Sequence, residues 1–316
     1  MTGDAQGVKA LRDALGEAAA IALPVHDDRE RCSDHLYQHW YLGLPVDSHD
    51  ASTPVGACPA EALHLNLRGA LRCAHAAARQ WDDGWVVRHV APGGVVTVER
   101  DGAVRSFARV DVLPVERATL APRPGDAVAV TARRDTDQVP GAWVTYGGAW
   151  PDEGQPPDLH RYYVHIQERS VLALVHAATT RLESAGVTYA VKVITGSGRF
   201  VRPDAAVCYS PADEAGELRT MLVDLVDNGG LHLTPTTPRL AAVIRPGLAW
   251  ALDPGGNRSF GEWWCRFISA HVASGLASGA VTGDPVPWLA THLVEASIDA
   301  GVDPDSPHLL AHPVLV

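Results

Sequence analysis

The chain contains very little lysine: only two of its 26 lysine and arginine residues are lysines, Lys9 and Lys192. Arginine stays protonated and cannot act as a base, whereas the pKa of a lysine amine responds to burial and to neighbouring cations. Lys9 falls in a predicted N-terminal helix, where an exposed charge is ordinary. Lys192 interrupts the apolar run Tyr189–Ile194, which predicts a strand, so it is a candidate reactive amine. The alternative interpretation is an amphipathic strand with one polar face.

Cysteine pairs, metal-binding motifs and long apolar runs are also absent from the 316 residues. The five cysteines include no CxxC pair, which argues against a zinc knuckle or a disulfide framework and favours a reduced, cytoplasmic setting. The 15 histidines form no HExxH motif, and we predict neither a metal site nor a cofactor. No apolar run could span a bilayer, and the N-terminal segment carries charges, unlike a signal peptide. The net charge of −11 argues against a nucleic-acid or anionic-membrane partner.

Hydrophobic periodicity divides the chain into three regions. We predict a helical N-terminal region over residues 1–80 and a small β-rich unit over residues 81–150. A stretch rich in Gly, Pro, Asp and Glu follows as a linker. Strands and helices then alternate through residues 157–316. The prediction is an α+β fold whose C-terminal α/β domain has a mixed sheet flanked by helices.

Strand alternation gives Lys192 a possible partner. In the predicted strand 161–167 the odd-numbered positions, which include His165, are polar, and the even-numbered positions are apolar. In the predicted strand 188–194 Lys192 lies opposite the apolar face. Because one helix connects the two strands, we expect both in one sheet, with His165 and Lys192 on the same face. Such a pair can act as acid and base.

Six downstream arginines are candidates for binding phosphate, because a guanidinium binds it through two hydrogen bonds and stays charged. They are Arg199, Arg202, Arg239, Arg245, Arg258 and Arg266. If they cluster near Lys192, they also lower the pKa of its amine by repulsion. The alternative is that most of them are solvated or paired with surface carboxylates. We predict that Asp253-Pro254-Gly255 is only a turn and that Trp263-Trp264 belongs to the core.

The stretches RYYVHI, AGVTYAVKV, RFVRPDAAVCYS and TPRLAAVIRPGLAWALDPGGNRSFGEWWCRF follow one another in order. Together they resemble the HopA-type effector family, which is related to phosphothreonine lyases. Upstream, DHLYQHWYLG, the Trp81–Trp85 turn and VPGAWVTYGG are similar to the N-terminal half of the same family, so the resemblance covers nearly the whole chain. Members outside pathogens resemble the lyase component of class V lanthipeptide and thioamitide biosynthesis. In those systems a separate kinase phosphorylates Ser or Thr of a precursor peptide, and the lyase expels the phosphate.

The resemblance implies a role for each candidate residue. Lys192 falls at the position of the base that removes the Cα proton. His165 falls at the position of the acid that protonates the departing phosphate. Arg202 falls at a phosphate-binding arginine, and Arg266 is a second candidate for that role.

Two positions depart from the pattern. Phosphothreonine lyases carry a lysine where this chain has Tyr163, and the family tends to have an arginine where it has Trp264. The phosphate-binding set of this chain is then either altered or completed by Arg258 or Arg239. Tyr163 and Tyr209, in the first and third strands of the C-terminal domain, complete the predicted substrate-binding residues.

Three hypotheses of different classes follow. The first is a phosphoserine/phosphothreonine lyase without cofactor, which converts a phosphorylated precursor peptide to dehydroalanine or dehydrobutyrine; a separate Ser/Thr peptide kinase is its expected partner. The second is a non-catalytic phosphopeptide- or leader-peptide-binding, or effector-like, protein with the same fold. The third is a phosphatase, which ranks last because the sequence offers neither a nucleophile motif nor metal ligands.

Overall fold

The computed structural model describes residues 3–44, 60–115, 121–136, 139–151, 154–196, 199–255, 258–279 and 283–309. The α-helices of these ranges are α1 (Gly3–Ala22), α2 (Arg29–Leu36), α3 (Ala60–Ala74), α4 (Val171–Ala185), α5 (Ala215–Asp227), α6 (Phe260–Ala277) and α7 (Pro285–Asp299). A π-helical turn, Tyr37–Tyr41, continues α2. Within the described part of the chain, none of the helices combines the length and apolarity that crossing a bilayer requires.

The strands form two sheets. They are β1 (Trp81–Val90), β2 (Val95–Arg100), β3 (Ala103–Ala108), β4 (Val112–Pro114), β5 (Ala127–Thr131), β6 (Arg134–Thr136), β7 (Ala142–Gly147), β8 (Leu159–Val164), β9 (Tyr189–Ile194), β10 (Ala206–Pro211), β11 (Ala242–Arg245) and β12 (Leu248–Leu252). The smaller sheet has the order β3-β2-β1-β5-β4, and the larger one β11-β12-β8-β10-β9-β7-β6. The predicted α+β class and the helical N-terminal segment are confirmed.

The larger sheet is antiparallel between all its described neighbours, so the prediction of a mixed sheet is wrong. The helix α4 connects β8 to β9 and makes these two strands parallel to each other. However, β10 lies between them and pairs antiparallel with both. The connection predicted from sequence therefore exists, but the strand that follows it fills the gap between the parallel pair.

Helices cover both faces of the larger sheet. Val164, Val191 and Cys208 share one buried cluster with α3, α4 and α5. Tyr163 and Val207 share another with α1, α2, α6 and α7. Full burial of one aliphatic side chain stabilises the fold by about 1.5–3 kcal/mol, so these two clusters fix the sheet between its helices.

Two stretches differ from their predicted structure. The strand β7 was not predicted, because nearly every residue in it is buried and the period of two that marks a half-exposed strand is missing. Arg245, at a position where no strand is predicted, ends β11, which pairs with β12. Because β7 pairs with β9, residues 134–147 belong to the same sheet as residues 159–252. The division of the chain into three folding units stays a prediction.

A capping box places the start of α6 beside the larger sheet. The Ser259 side chain accepts a hydrogen bond from the Glu262 amide at 3.1 Å, and the Glu262 carboxylate accepts one from the Ser259 amide at 2.7 Å. Such reciprocal bonds satisfy amides that the first helical turn otherwise leaves unpaired. They also hold Glu262 and the preceding Arg258 at the same helix end.

Candidate active site

Lys192 lies in a row of residues that crosses the centre of the larger sheet. It is paired on β9 with Val207 of β10, which is paired with Tyr163 of β8. Alternation places these three side chains on the face that α6 and the π-helical turn cover, whereas Val191 and Val193 point to the opposite face. Adjacent strands are about 4.8 Å apart, so the backbones of Lys192 and Tyr163 are about 10 Å apart.

The Lys192 amine is partly buried. It makes no hydrogen bond or ion pair with any other residue that the structure describes. Burial lowers its pKa, because it penalises the charged amine. The Asp204 carboxylate opposes this shift, and the guanidinium groups of Arg161 and Arg202 add to it. A larger fraction of the amine is therefore neutral at a given pH than in a solvated lysine, which suits a base.

A cavity of about 370 Å³, the lysine cavity, contains this amine. Its floor is formed by the sheet residues Val144, Arg161, Tyr163, Lys192, Val207 and Tyr209. Its walls are Tyr37 and Tyr41 of the π-helical turn, Arg258 and Glu262 at the start of α6, and Trp150 beyond β7. No group of three or more His, Cys, Asp or Glu side chains among the described residues is placed to hold a metal ion.

Arg161 is the buried cation of the lysine cavity, and the sequence-based set of site residues missed it. Only 7% of Arg161 is exposed. Its Nε donates to Asp253 at 2.5 Å, and its Nη2 contacts the same carboxylate and donates to the Arg258 carbonyl at 3.0 Å. The guanidinium lies 5.3 Å from the centre of the Tyr209 ring. Its Nη1 makes no hydrogen bond with a described residue, which leaves two N–H donors for a bound anion.

The Asp253-Pro254-Gly255 stretch is more than the turn that we predicted. It makes a turn, since Asp253 Oδ1 accepts a hydrogen bond from the Gly255 amide at 2.8 Å. The other carboxylate oxygen accepts a hydrogen bond from Arg161 of β8, the strand that pairs with β12. Arg161 was visible on the polar face of its predicted strand, but its partner is 92 residues away in the chain.

Asp204 is the carboxylate that most raises the pKa of Lys192, and both of its oxygens already accept hydrogen bonds from other residues. Arg202 donates to its two oxygens from Nε and Nη2, each at 2.8 Å. The Tyr37 hydroxyl donates to the same carboxylate at 3.3 Å. Arg202, predicted to bind phosphate, is thus directed at Asp204, and a phosphate at this guanidinium must compete with that carboxylate.

Two phenols on the cavity floor stay neutral. Burial raises the pKa of Tyr163 to about 12 and raises that of Tyr209 as well. Both can therefore donate hydrogen bonds at neutral pH. The Tyr163 hydroxyl is buried without a hydrogen-bond partner among the described residues. The Tyr41 hydroxyl is close enough to influence the pKa of Tyr163 but does not reach hydrogen-bond geometry.

His165 lies beyond the end of β8 and does not line the lysine cavity. It is buried, with Nδ1 at 2.6 Å from the Thr236 hydroxyl and Nε2 at 3.2 Å from the Phe200 carbonyl. Burial lowers its pKa, which favours the neutral imidazole. Lys192 and His165 share a sheet face by alternation, but β10 separates their strands. The predicted acid thus lies outside the cavity that the predicted base lines, and the catalytic roles of both residues stay predictions.

The other predicted arginines lie in different places. Arg258 lines the lysine cavity. Arg266, two turns farther along α6, lines a neighbouring cavity. Arg239 is exposed and pairs with Glu17 of α1 at 2.8 Å, so it does not contribute to either cavity.

Trp264 lies in the core, as predicted for the Trp263-Trp264 pair. It is completely buried, and its ring contacts those of Trp263 and Phe267. At this position the chain has an apolar contact inside the helical layer. Any phosphate-binding charge must come from elsewhere.

Fold and site together define an α+β protein with an antiparallel sheet between two helical layers and a lysine–arginine cavity on one sheet face. Residues 136–309 match the HopA1 effector protein family. The chain belongs to this family, which confirms the resemblance seen in the sequence.

Two solved structures are similar over nearly the whole chain. The effector protein from Pseudomonas syringae pv. tomato strain DC3000 is 16% identical, with 96% of this chain and 98% of that chain covered and a TM-score of 0.52. For the effector protein from Pseudomonas syringae pv. syringae strain 61 the identity is 15%, the coverage 95% and 97%, and the TM-score 0.48. At such identities the first of these likenesses supports the fold alone. None of the curated proteins compared with this chain matches it.

Proposed function

We propose that this chain is a lyase that eliminates phosphate from phosphoserine or phosphothreonine in a precursor peptide. The observation that carries the proposal is the pairing of Lys192 with Arg161 on one cavity floor. Lys192 offers an amine with a lowered pKa and no direct partner among the described residues. Arg161 offers a fixed guanidinium with unused donors. A base and a fixed positive charge are the two groups that elimination of phosphate requires.

The chemistry proceeds without a nucleophile. The neutral Lys192 amine accepts the Cα proton, and the electron pair of the broken C–H bond forms the Cα=Cβ double bond. The Cβ–O bond breaks as this double bond forms, and the phosphate leaves with the electron pair of that bond. Arg161 and Arg258 neutralise the phosphate charge, which makes it a better leaving group. Loss of the proton from the lysine to water restores the base.

Two residues compete for the role of proton donor to the phosphate. His165 is the choice of the family resemblance, and Tyr163 is the choice of position, because this neutral phenol is among the residues that line the lysine cavity. If Tyr163 donates, Tyr163→Phe lowers kcat by about 100-fold, while His165→Asn leaves kcat nearly unchanged. The opposite pattern assigns the role to His165.

The biological setting of the proposal rests on the resemblance. The substrate is a precursor peptide phosphorylated by a separate Ser/Thr kinase, and the product carries dehydroalanine or dehydrobutyrine, as in lanthipeptide or thioamitide biosynthesis. A cytoplasmic location belongs to the same proposal, because the kinase uses ATP there. The family membership supports these points only through that likeness.

Mass spectrometry of a phosphoserine peptide after incubation with the protein tests the proposal. We expect loss of phosphoric acid, together with a product that adds a thiol across the new double bond. Lys192→Met removes this activity, while Lys9→Met, which replaces the other lysine of the chain, retains it. Release of inorganic phosphate with an intact serine identifies a phosphatase instead. Undiminished elimination in Lys192→Met contradicts the assigned base.

The second candidate function is phosphopeptide binding without turnover. The position of His165 outside the lysine cavity favours it, because the residue predicted to be the acid does not line the cavity that Lys192 lines. This function predicts that a phosphopeptide binds more tightly than its unphosphorylated form and remains intact after prolonged incubation.

A further inference from the structure

The lysine cavity continues into a second one along the groove between α2 and α6. This α2/α6 groove has a volume of about 770 Å³. It shares Tyr37, Arg258 and Glu262 with the lysine cavity. A polymer chain that leaves the lysine cavity past these residues therefore enters the groove directly.

The groove has the length of a short extended peptide. α2 and α6 run antiparallel, because the Tyr41 ring packs on Gly261 at one end and Arg29 acts on the pKa of His271 at the other. A helical rise of 1.5 Å per residue gives the lining between Arg29 and Tyr37 a length of about 12 Å. An extended chain advances about 3.3 Å per residue, so about four residues fit.

The lining carries charges of both signs. The charged residues are Arg29, Glu30, Asp34, Arg258, Glu262 and Arg266, and all are exposed. None of the six forms an ion pair with another residue in the described ranges. Opposite charges in one groove usually pair across it where they can reach, so this groove retains unused donors and acceptors. A polar, extended chain with charged side chains would satisfy them.

The opposite exit of the lysine cavity differs in this respect. It leads past Trp150 into a cavity of about 430 Å³ that also contains arginines. There Arg133 binds Asp111 at 2.9 Å and Asp135 at 2.5 Å, and Arg134 donates to the Trp150 carbonyl at 3.0 Å. These guanidinium groups serve the fold. The α2/α6 groove is the exit whose charged groups remain open to a ligand.

We infer that the α2/α6 groove binds the substrate segment next to the phosphorylated residue, as an extended chain of about four residues. The inference rests on the proposed lyase function and adds where the peptide lies. Arg29 and Asp34, which line the groove, are then positioning residues that bind the flanking segment. They affect KM for a long substrate and do not take part in the chemical step.

Kinetics with two phosphopeptides test the inference. One peptide is phosphoserine with single blocked neighbours, and the other has eight residues of mixed charge on each side. For Arg29→Ala and Asp34→Ala we expect KM of the long peptide to rise about tenfold at unchanged kcat, because each loses a charged hydrogen bond. The short peptide should react as with the unmodified protein. Arg31→Ala is the matched control, since Arg31 is exposed on the same helix but lines neither cavity.

Other outcomes overturn the inference. Equal effects on both peptides, or no effect on the long one, show that the flanking segment lies elsewhere. If the unmodified protein eliminates phosphate from neither peptide, the lyase proposal fails, and calorimetric binding of the long phosphopeptide decides about the groove. Affinity that is unchanged by Arg29→Ala and by Asp34→Ala then excludes the groove as a peptide site.

Discussion

Two faces of one sheet differ in chemistry although both are covered by helices. Under α4 and α5 the residues Val164, Val191 and Cys208 pack into a continuous apolar cluster. Under α6 the same strands present Arg161 and Lys192 to a cavity. The first face has no described charge in its centre. The second has the Lys192 amine, which has no direct partner, and the Arg161 guanidinium, which binds a carboxylate 92 residues away in the sequence.

Within one strand, neighbouring residues contribute either to stability or to the cavity. Val191 and Lys192 are consecutive, yet one is completely buried and the other lines a cavity. Burial of Val191 stabilises the fold by about 1.5–3 kcal/mol, whereas partial burial of an unpaired amine opposes folding. A fold that keeps such an amine has a use for it, and perturbed groups in cavities are typical of functional sites.

Exchanging Val191 and Lys192 should have the largest effect on the free energy of unfolding. In the double variant Val191→Lys, Lys192→Val an ammonium group replaces a valine that is 0% exposed. We expect the free energy of unfolding to fall by about 4 kcal/mol or more, because the new charge has no partner or solvent. Urea denaturation measures the loss. The control is Lys192→Val alone, which should unfold at the same urea concentration as the unmodified protein or at a higher one, because it removes an amine that opposes folding.

Removing the support of Arg161 has the next largest effect. Asp253→Ala leaves the buried guanidinium without its carboxylate, and we expect a loss of about 3–5 kcal/mol in the free energy of unfolding. Asp224→Ala is the control, because it breaks the Arg181–Asp224 pair, whose side chains are each 46% exposed. That change should cost about 1 kcal/mol or less. Similar losses in the two variants would refute the difference between buried and exposed pairs.

A smaller effect concerns the pH dependence of stability. The pKa of Lys192 is lower in the folded chain than in the unfolded one, so the unfolded state binds more protons at pH values between the two. Stability relative to Lys192→Met should therefore increase as the pH rises through this window. Denaturation of both proteins between neutral and alkaline pH measures the difference. A relative stability that falls with rising pH would mean that the folded protein favours the charged amine.

The sequence predicted the elements of the site better than their contacts. Lys192 was found by its rarity and its place in an apolar strand, and alternation assigned it to the correct face. The strands β8 and β9, and the helix α4 that connects them, lie where periodicity placed them, within a few residues. These features depend on neighbours in the chain, which is why a single sequence shows them.

The missed features depend on residues that are far apart in the chain. Tyr37 donates to Asp204 over 167 positions, and Arg161 binds Asp253 over 92. No local pattern indicates such a pair. The position of β10 between β8 and β9 is likewise a matter of sheet order, and periodicity carries no information on it.

The protonation state of Lys192 is the most direct test of the whole account. Because the chain has two lysines, isotope labelling of lysine gives two side-chain amine signals by NMR, and Lys9→Met assigns them. We expect the Lys192 amine to titrate below the pH range of a solvated lysine. The rate of phosphate elimination should rise with pH through the same pKa. A Lys192 amine that titrates at or above the solvated range would contradict its role as the base.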